Sequence, residues 1–305
     1  MAVHIRGNWQ DALDVRFSEF WEGYELTYTM LPKLFRMPGH NGRDTQKFTR
    51  AGTFPDYTAF SGQLNYSDRF QGYDTTLTFL PFVNGFTVER QLYTDDQYHL
   101  FDGEPVEMKK AAYRTREKHG ARIWTMAFAV DSTFYSNSEG VAMCSNSHTT
   151  TADGVSTSTG FDNLVTSSFS ATALAAARKQ HKQLVGDQAE IIDTNPDTLL
   201  YPTDLYDKVH EVVKSEQKPS TANNDSNVHY EQFKTMEWRY LDSDTNNWFL
   251  IDSEMMKRNL VWVDRDPLEF GSINDFETWQ YKTRSWMRYS FGWLDWRHVV
   301  GAQVS

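Results

Sequence analysis

The stretch Trp279–Trp293, WQYKTRSWMRYSFGW, decides how the rest of this chain is read. In an extended strand successive side chains point to opposite faces. Trp279, Tyr281, Thr283, Ser285, Met287 and Tyr289 therefore share one face, and Gln280, Lys282, Arg284, Trp286 and Arg288 the other. The spacing predicts one long strand, and its two partly polar faces suit a sheet whose faces and edges meet other chains. Just upstream, Phe233–Tyr240, Trp248–Ile251 and Leu260–Val263 read as further strands.

Working outward, Tyr73–Leu80 puts Tyr73, Thr75, Leu77 and Phe79 on one face, and after Pro81 the run Phe82–Arg90 alternates Phe82, Asn84, Phe86 and Val88. These predict two antiparallel strands, closed by Asp95-Asp96-Gln97. Gly103-Glu104-Pro105 then introduces a helix over Val106–Ala129, because proline is well tolerated in a first helical turn. Met108, Ala112, Ile123, Met126 and Ala127 lie among Lys109, Lys110, Arg114, Arg116, Lys118 and Arg122, with Gly120 as the weak point. A continuous helix would be roughly 35 Å long, and its bases against only Glu107 and Glu117 make it a cationic rod.

Other helices are expected in part of Asp11–Leu34, where Leu13, Phe17, Phe20, Trp21 and Tyr24 form a stripe, and over Ala171–Leu184, N-capped by Ser170. Leu199-Leu200-Tyr201 reads as a short strand, followed by a helix over Thr203–Lys214 that Lys218-Pro219 ends. Ser145–Ser168, rich in Ser, Thr and Gly, reads as a loop. Lys33, Arg36, Arg43, Lys47 and Arg50 against the single acid Asp44 read as a solvated connector. Phe48–Phe70 displays Phe54, Tyr57, Phe60, Tyr66 and Phe70 with almost no aliphatic residues. Such a segment is a ligand-binding loop, a surface completed by another subunit, or a large loop packed on its own domain. There is no internal repeat.

The 305 residues are enough for one large domain or two intermeshed ones. Thirty basic against 41 acidic side chains give a net charge of -11, which argues against a general nucleic-acid or anionic-membrane binder. The lone cysteine, Cys144, forms no internal disulfide and cannot alone supply a Cys-type zinc site, which fits a reducing compartment. Neither a signal peptide nor a run of 18 apolar residues is present, so synthesis in a cytoplasm is expected.

Candidate chemistry is sparse. The nine histidines are scattered without metal-ligand spacing, and His99 near Asp96 is a weak mononuclear candidate. Asp95 and Asp96, adjacent on an extended segment, would point apart and so suit capping better than a catalytic dyad. Cys144 could act as a nucleophile only with a base such as His148. Phosphate-loop, dinucleotide and serine-hydrolase motifs are absent from the sequence. A glycosidase needs only two carboxylates at no fixed spacing, so an aromatic-rich carbohydrate-active enzyme using Asp95, Asp96 or Asp264 stays open.

Several blocks together resemble the major capsid proteins of tailed phages with the Hong Kong 97 fold, and within them the Mu-like major head subunit group. They are Gly72–Thr76 leading into Gly85–Arg90, Asp95–Tyr98, Tyr113–Glu117, Gly140–Ala142 with Ser145–His148, and Leu199–Asp204. The C-terminal blocks are the most telling: Lys218–Asn227 (KPSTANNDSN), Asp266–Phe270, Tyr289–Trp293 and Asp295-Trp296-Arg297. Each is short, but their order and spacing are specific.

The resemblance implies an α+β shell protein. Residues 1–46 would be an N-terminal arm, 47–82 an extended β-hairpin loop, and 83–132 the peripheral domain with its long spine helix. Residues 133–260 would be the axial domain, and 261–305 C-terminal strands returning to the peripheral domain. It implies self-assembly as hexamers and pentamers into an icosahedral head around double-stranded DNA held without sequence specificity. Scaffolding, portal and decoration proteins are the expected partners, the scaffold being a separate protein, with assembly in the host bacterial cytoplasm. No enzymatic activity, cofactor, metal or membrane is expected. Phe54, Tyr57, Phe60, Tyr66, Trp9, Phe17 and Trp21 are the expected assembly contacts, and Lys109, Lys110, Arg114 and Arg116 the expected DNA-facing or intersubunit bases. An encapsulin-type nanocompartment shell and a tail-tube protein are the nearest alternatives.

Overall fold

A computed structural model describes residues 10–24, 30–60, 62–64, 66–89, 91–92, 95, 100–218, 226–275 and 277–304. The N-terminal part contains α1 (Gln10–Gly23), α2 (Leu31–Leu34), β1 (Thr45–Ala51), β2 (Gln71–Thr78), β3 (Leu80–Glu89), α3 (Glu104–Thr125) and β4 (Tyr135–Asn137). There follow β5 (Leu164–Val165), α4 (Ala171–Lys182), β6 (Thr198–Tyr201), α5 (Tyr206–Val209), β7 (Lys234–Glu237) and β8 (Trp248–Ile251). The last elements are α6 (Ser253–Asn259), β9 (Leu260–Asp275), β10 (Gln280–Trp293) and β11 (Val299–Ala302).

Strand β10 is the centre of a three-stranded antiparallel sheet, β3-β10-β9, in register from Gln280↔Glu89 to Tyr289↔Leu80 on one side and from Gln280↔Asp275 to Trp293↔Leu260 on the other. Its predicted alternation holds from Tyr281 on, where Tyr281, Thr283, Ser285, Met287 and Tyr289 are buried, but Trp279, expected on the same face, lies in the turn before the strand at φ 54° and is exposed. Helices α1 and α3 cover that face, through Phe17 against Phe86 and Tyr281, Trp21 against Phe270, and His119 against Phe82 and Tyr289. The opposite face leaves Val83, Trp286 and Ile273 exposed.

Helix α3 begins on Gly103 with Pro105 and two acids, Glu104 and Glu107, in its first turn, where they complement the helix dipole. Gly120 belongs to a close approach: a Cβ there would lie 2.1 Å from Leu31 Cδ2 on α2. The main core gathers around Trp262, whose ring stacks 4.7 Å from Tyr289 and 5.1 Å from Phe291. A second cluster, with Leu174, Leu199, Val213, Trp248 and Val300, holds the five-stranded sheet β5-β11-β8-β6-β7 against α4 and the helical turns 203–214. Ser170 Oγ accepts the Ala173 N–H at 3.1 Å, as its place before α4 predicts.

Four further expectations need correction. Strands β2 and β3 do not pair with each other; only Phe79 separates them, too short a link to reverse the chain. Instead β2 pairs with β1 and β4, and β3 with β10. The run that reads as a solvated connector ends in β1, where Gln46, Phe48 and Arg50 are half-buried and alternate with exposed residues, Phe48 packs against the main core, and the strand pairs with β2. Strand β9 runs on from Val263 to Asp275 through polar residues, because β10 supplies its partners there. The C-terminal strands part company: β9 and β10 lie with β3 against α3, but β11 runs in the five-stranded sheet between β5 and β8.

Candidate assembly surfaces

Strands β1 and β2 form a two-stranded stem, from Thr45↔Thr78 to Ala51↔Gln71, and residues 52–70 extend from it with no regular structure among the described residues. At the neck the Gly52 N–H donates to Phe70 O at 2.8 Å and Arg69 Nε donates to Gly52 O at 2.8 Å. Beyond it Phe54, Tyr57, Phe60, Leu64 and Tyr66 stand in solvent, with relative exposures of 57, 106, 79, 65 and 86%. Among the described residues the contact over these rings is that of Arg69, whose guanidinium lies 5.6 Å from the Phe54 ring centroid. A loop that holds five large apolar groups in water gains about 1.5–3 kcal/mol for each one a partner fully buries.

The N-terminal aromatics are placed differently. Phe17 is fully buried, its ring 5.1 Å from Tyr281 and 6.0 Å from Phe86. Trp21 stacks on Phe270 at 4.9 Å, and Lys109 Nζ donates to its carbonyl at 2.6 Å. Both side chains fix α1 to its own sheet, so the expectation of assembly contacts is corrected for these two. Trp9 lies outside the described residues.

Of the four bases singled out on α3, three have partners within the chain. Lys109 is bound to Trp21, Lys110 Nζ to Glu107 at 2.6 Å, and Arg116 Nη2 to both oxygens of Asp264 at 3.0 and 2.7 Å. Arg114 is exposed and makes no ion pair among the described residues. At the end of α3, Arg122 pairs with Asp131 at 2.6 Å, so three of the rod's six bases, Lys110, Arg116 and Arg122, are ion-paired within their own subunit among the described residues.

At the root of the loop stands a closed ring of charges. Arg50 Nη2 donates to Asp187 Oδ2 at 2.9 Å and Arg50 Nη1 lies 3.0 Å from Asp295 Oδ2. Arg297 Nη1 donates to Asp295 Oδ1 at 3.3 Å. Arg297 Nη2 lies 3.1 Å from Asp187 Oδ1, an ion contact without hydrogen-bond alignment. Burial would raise the Asp295 carboxyl, but Arg50 and Arg297 outweigh it and hold that carboxyl below the usual range. The Arg297 guanidinium packs over two rings, 4.6 Å from the centroid of Trp296 and 5.4 Å from that of Phe161. No pattern in the sequence signalled this ring; Arg50 and Asp187 are 137 residues apart.

Among the described residues the catalytic candidates do not assemble. Asp264 is tied to Arg116, and Asp95 is exposed, while Asp96 and His99 lie outside the described residues. Burial pushes the Cys144 thiol up, away from the thiolate a nucleophile needs. His148 is buried, bound through its two nitrogens to Glu139 at 3.0 Å and Asn163 at 3.2 Å, and stacked 4.1 Å from Trp296. A cleft of about 480 Å³ between α3 and the segment after β7 is lined by Tyr113, Arg114, Glu117, Trp238 and Tyr240. Its buried acid, Glu117, accepts the Met30 N–H at 2.7 Å and so anchors the start of α2. Among the described residues no three metal-ligating side chains come together.

Comparison with known proteins agrees with this picture of a subunit built to be covered. The family model for phage capsid protein matches residues 73–302, and the chain belongs to that family. No curated protein matches it. The fold is similar to the capsid of cyanophage P-SCSP1u, with a TM-score of 0.62 at 11% identity over 93% of this chain and 91% of that one. It is similar to the mature capsid of bacteriophage PhiM1, with a TM-score of 0.59 at 9% identity over 92 and 89%. For the bacteriophage JBD30 capsid the TM-score is 0.55 at 15% identity over 79 and 96%. The architecture is thus the α+β Hong Kong 97-type capsid fold, and the chain is a capsid protein of the virion.

Proposed function

We propose that this chain is the major head subunit of a tailed double-stranded DNA phage of the Mu-like group. It acts as a structural protein, not an enzyme, and associates as hexamers and pentamers into an icosahedral shell in the host bacterial cytoplasm. Scaffolding, portal and decoration proteins are its partners, and DNA lies on the inner wall, where exposed Arg114 and Lys118 are the α3 bases placed to meet another molecule. The working division is an arm (1–46), an extended loop (47–82), a peripheral segment with α3 (83–132), an axial segment (133–260) and C-terminal strands (261–305), of which β9 and β10 go with the peripheral segment and β11 with the axial one.

The observation that carries this reading is the loop 52–70, which holds Phe54, Tyr57, Phe60 and Tyr66 in solvent on a paired stem. Their burial energy becomes available on assembly and not on folding, and many copies of a modest contact close a shell. Replacing all four by Ser leaves the monomer fold intact and abolishes shells in negative-stain microscopy and light scattering. Unchanged shell yield and stability would sink the reading.

A further inference from the structure

We propose that the ring Arg50–Asp187–Arg297–Asp295 is a latch that fixes the angle at which loop 52–70 leaves the body of the subunit, with Arg50 as the residue that releases it. The inference rests on the reading of that loop as the assembly arm.

Three of the four members belong to the body. Asp187 lies in the turn after α4, and Asp295 and Arg297 lie between β10 and β11. Arg50 alone comes from the stem, on β1 two residues before the loop begins. Each carboxylate divides its oxygens between two guanidiniums and each guanidinium spans two carboxylates, so the closed ring is neutral. The body half is pre-built: Arg297 is buried, its Nε donates to Val185 O at 2.5 Å, and its guanidinium packs over two aromatic rings. The Arg50 side chain is 21% exposed against 2% for Arg297, so water reaches the ring from the stem side.

A second bond acts at the same place. Gln188 Nε2 donates to Thr53 O at 2.8 Å, and Thr53 is the second residue of the loop. The turn presenting Asp187 and Gln188 carries Ala189 at φ 62°, a left-handed conformation that a side chain adopts only under constraint. The loop root is therefore clamped by one short turn through a charge ring and an amide. Removing Arg50 leaves two carboxylates facing one guanidinium, a buried net negative charge that drives the ring apart. A lysine in its place is a single point charge and cannot span both carboxylates in one plane.

The test is hydrogen exchange on the full chain, kept dilute and unassembled, for the native protein, Arg50→Gln, Arg50→Lys and Asp187→Asn. Arg50→Gln should speed exchange in segments 50–56 and 66–72 by about tenfold or more, with 281–291 unchanged. Arg50→Lys and Asp187→Asn should fall between it and the native protein. Native exchange rates at the loop root in both Arg50→Lys and Asp187→Asn would overturn the latch, and these milder variants keep the test decisive if Arg50→Gln fails to fold. Shell formation is scored separately: faster exchange with native shell yield and diameter would leave the latch standing and refute the loop as the assembly arm.

Discussion

Arg116 on α3 and Asp264 on β9 form a two-oxygen ion pair, 3.0 and 2.7 Å long, with the guanidinium lying 5.4 Å from the centroid of the Trp262 ring. The Trp262 indole N–H completes the group by donating to Asp264 Oδ1 at 2.9 Å. The pair ties the long helix to the sheet it covers and leaves that base unavailable to a partner.

Because both side chains are largely buried, Arg116→Ala should lower the unfolding free energy by about 2 kcal/mol and Asp264→Asn by about 1 kcal/mol. The double variant should lose less than the sum, since the two share one interaction. Chemical denaturation of all four proteins checks this, and strictly additive losses would mean that the pair contributes nothing.

Acid should weaken the fold well above the carboxylate range. Burial drives His298 and His119 down to about 4 from an ordinary value near 6.5. The folded chain therefore holds fewer protons than the unfolded one between those values. This stability is fully present above pH 6.5 and is lost as pH falls toward 4, by about 3 kcal/mol for fully buried His298. Glu117, raised by burial, acts in the opposite sense, and Asp295 and Asp275, which are lowered, add their losses only further down. The midpoint of thermal unfolding should fall between pH 6.5 and 4.5, and His298→Gln should flatten that slope. An unchanged slope in this variant would refute the assignment.

The sign of a substitution at Gly120 should depend on Leu31. Alanine is favoured over glycine in a helix by about 1 kcal/mol. The added Cβ, however, meets buried Leu31 Cδ2 at 2.1 Å while its next neighbours are at an ordinary 3.5 Å. In the native background Gly120→Ala should destabilise by about 1 kcal/mol through overpacking. In a Leu31→Ala background it should stabilise, and thermal denaturation of the four proteins checks the reversal.

These residues also mark what the sequence could disclose. Strand β10 was legible because one face is buried and the alternation of Tyr281, Thr283, Ser285, Met287 and Tyr289 records it. Helices α3 and α4 announced themselves through Pro105 and Ser170, whose effects are local. Strand β1 was not legible, since its half-buried face, Gln46, Phe48 and Arg50, carries a single apolar residue and Lys47, Arg50 and their neighbours read as a charge run. The stripe of Phe17 and Trp21 was visible, but an apolar stripe does not say whether it faces its own sheet or a neighbouring subunit. The loop aromatics were legible by the lack of aliphatic residues around them. The charge ring was not, because Arg50, Asp187 and Asp295 meet only through tertiary folding.

Asn163, inside the stretch that reads as a Ser- and Thr-rich loop, is the strongest case of a residue whose role composition hides. Its Oδ1 accepts the Ser145 N–H at 2.8 Å, and its Nδ2 donates to Met143 O at 2.9 Å and Val299 O at 3.1 Å, all in a fully buried setting. The amide thereby joins the loop to the segment that leads into β11. Asn163→Ala leaves those backbone groups unpaired, and at about 1–3 kcal/mol for a buried unsatisfied group the total loss should exceed 3 kcal/mol. Asn163→Asp keeps the shape but turns a second oxygen toward two carbonyls and brings a charge into the core, so it should be the more damaging of the two. Denaturation midpoints at neutral pH order the variants, and an aspartate variant more stable than the alanine one would show that the amide's donors are not what holds this junction.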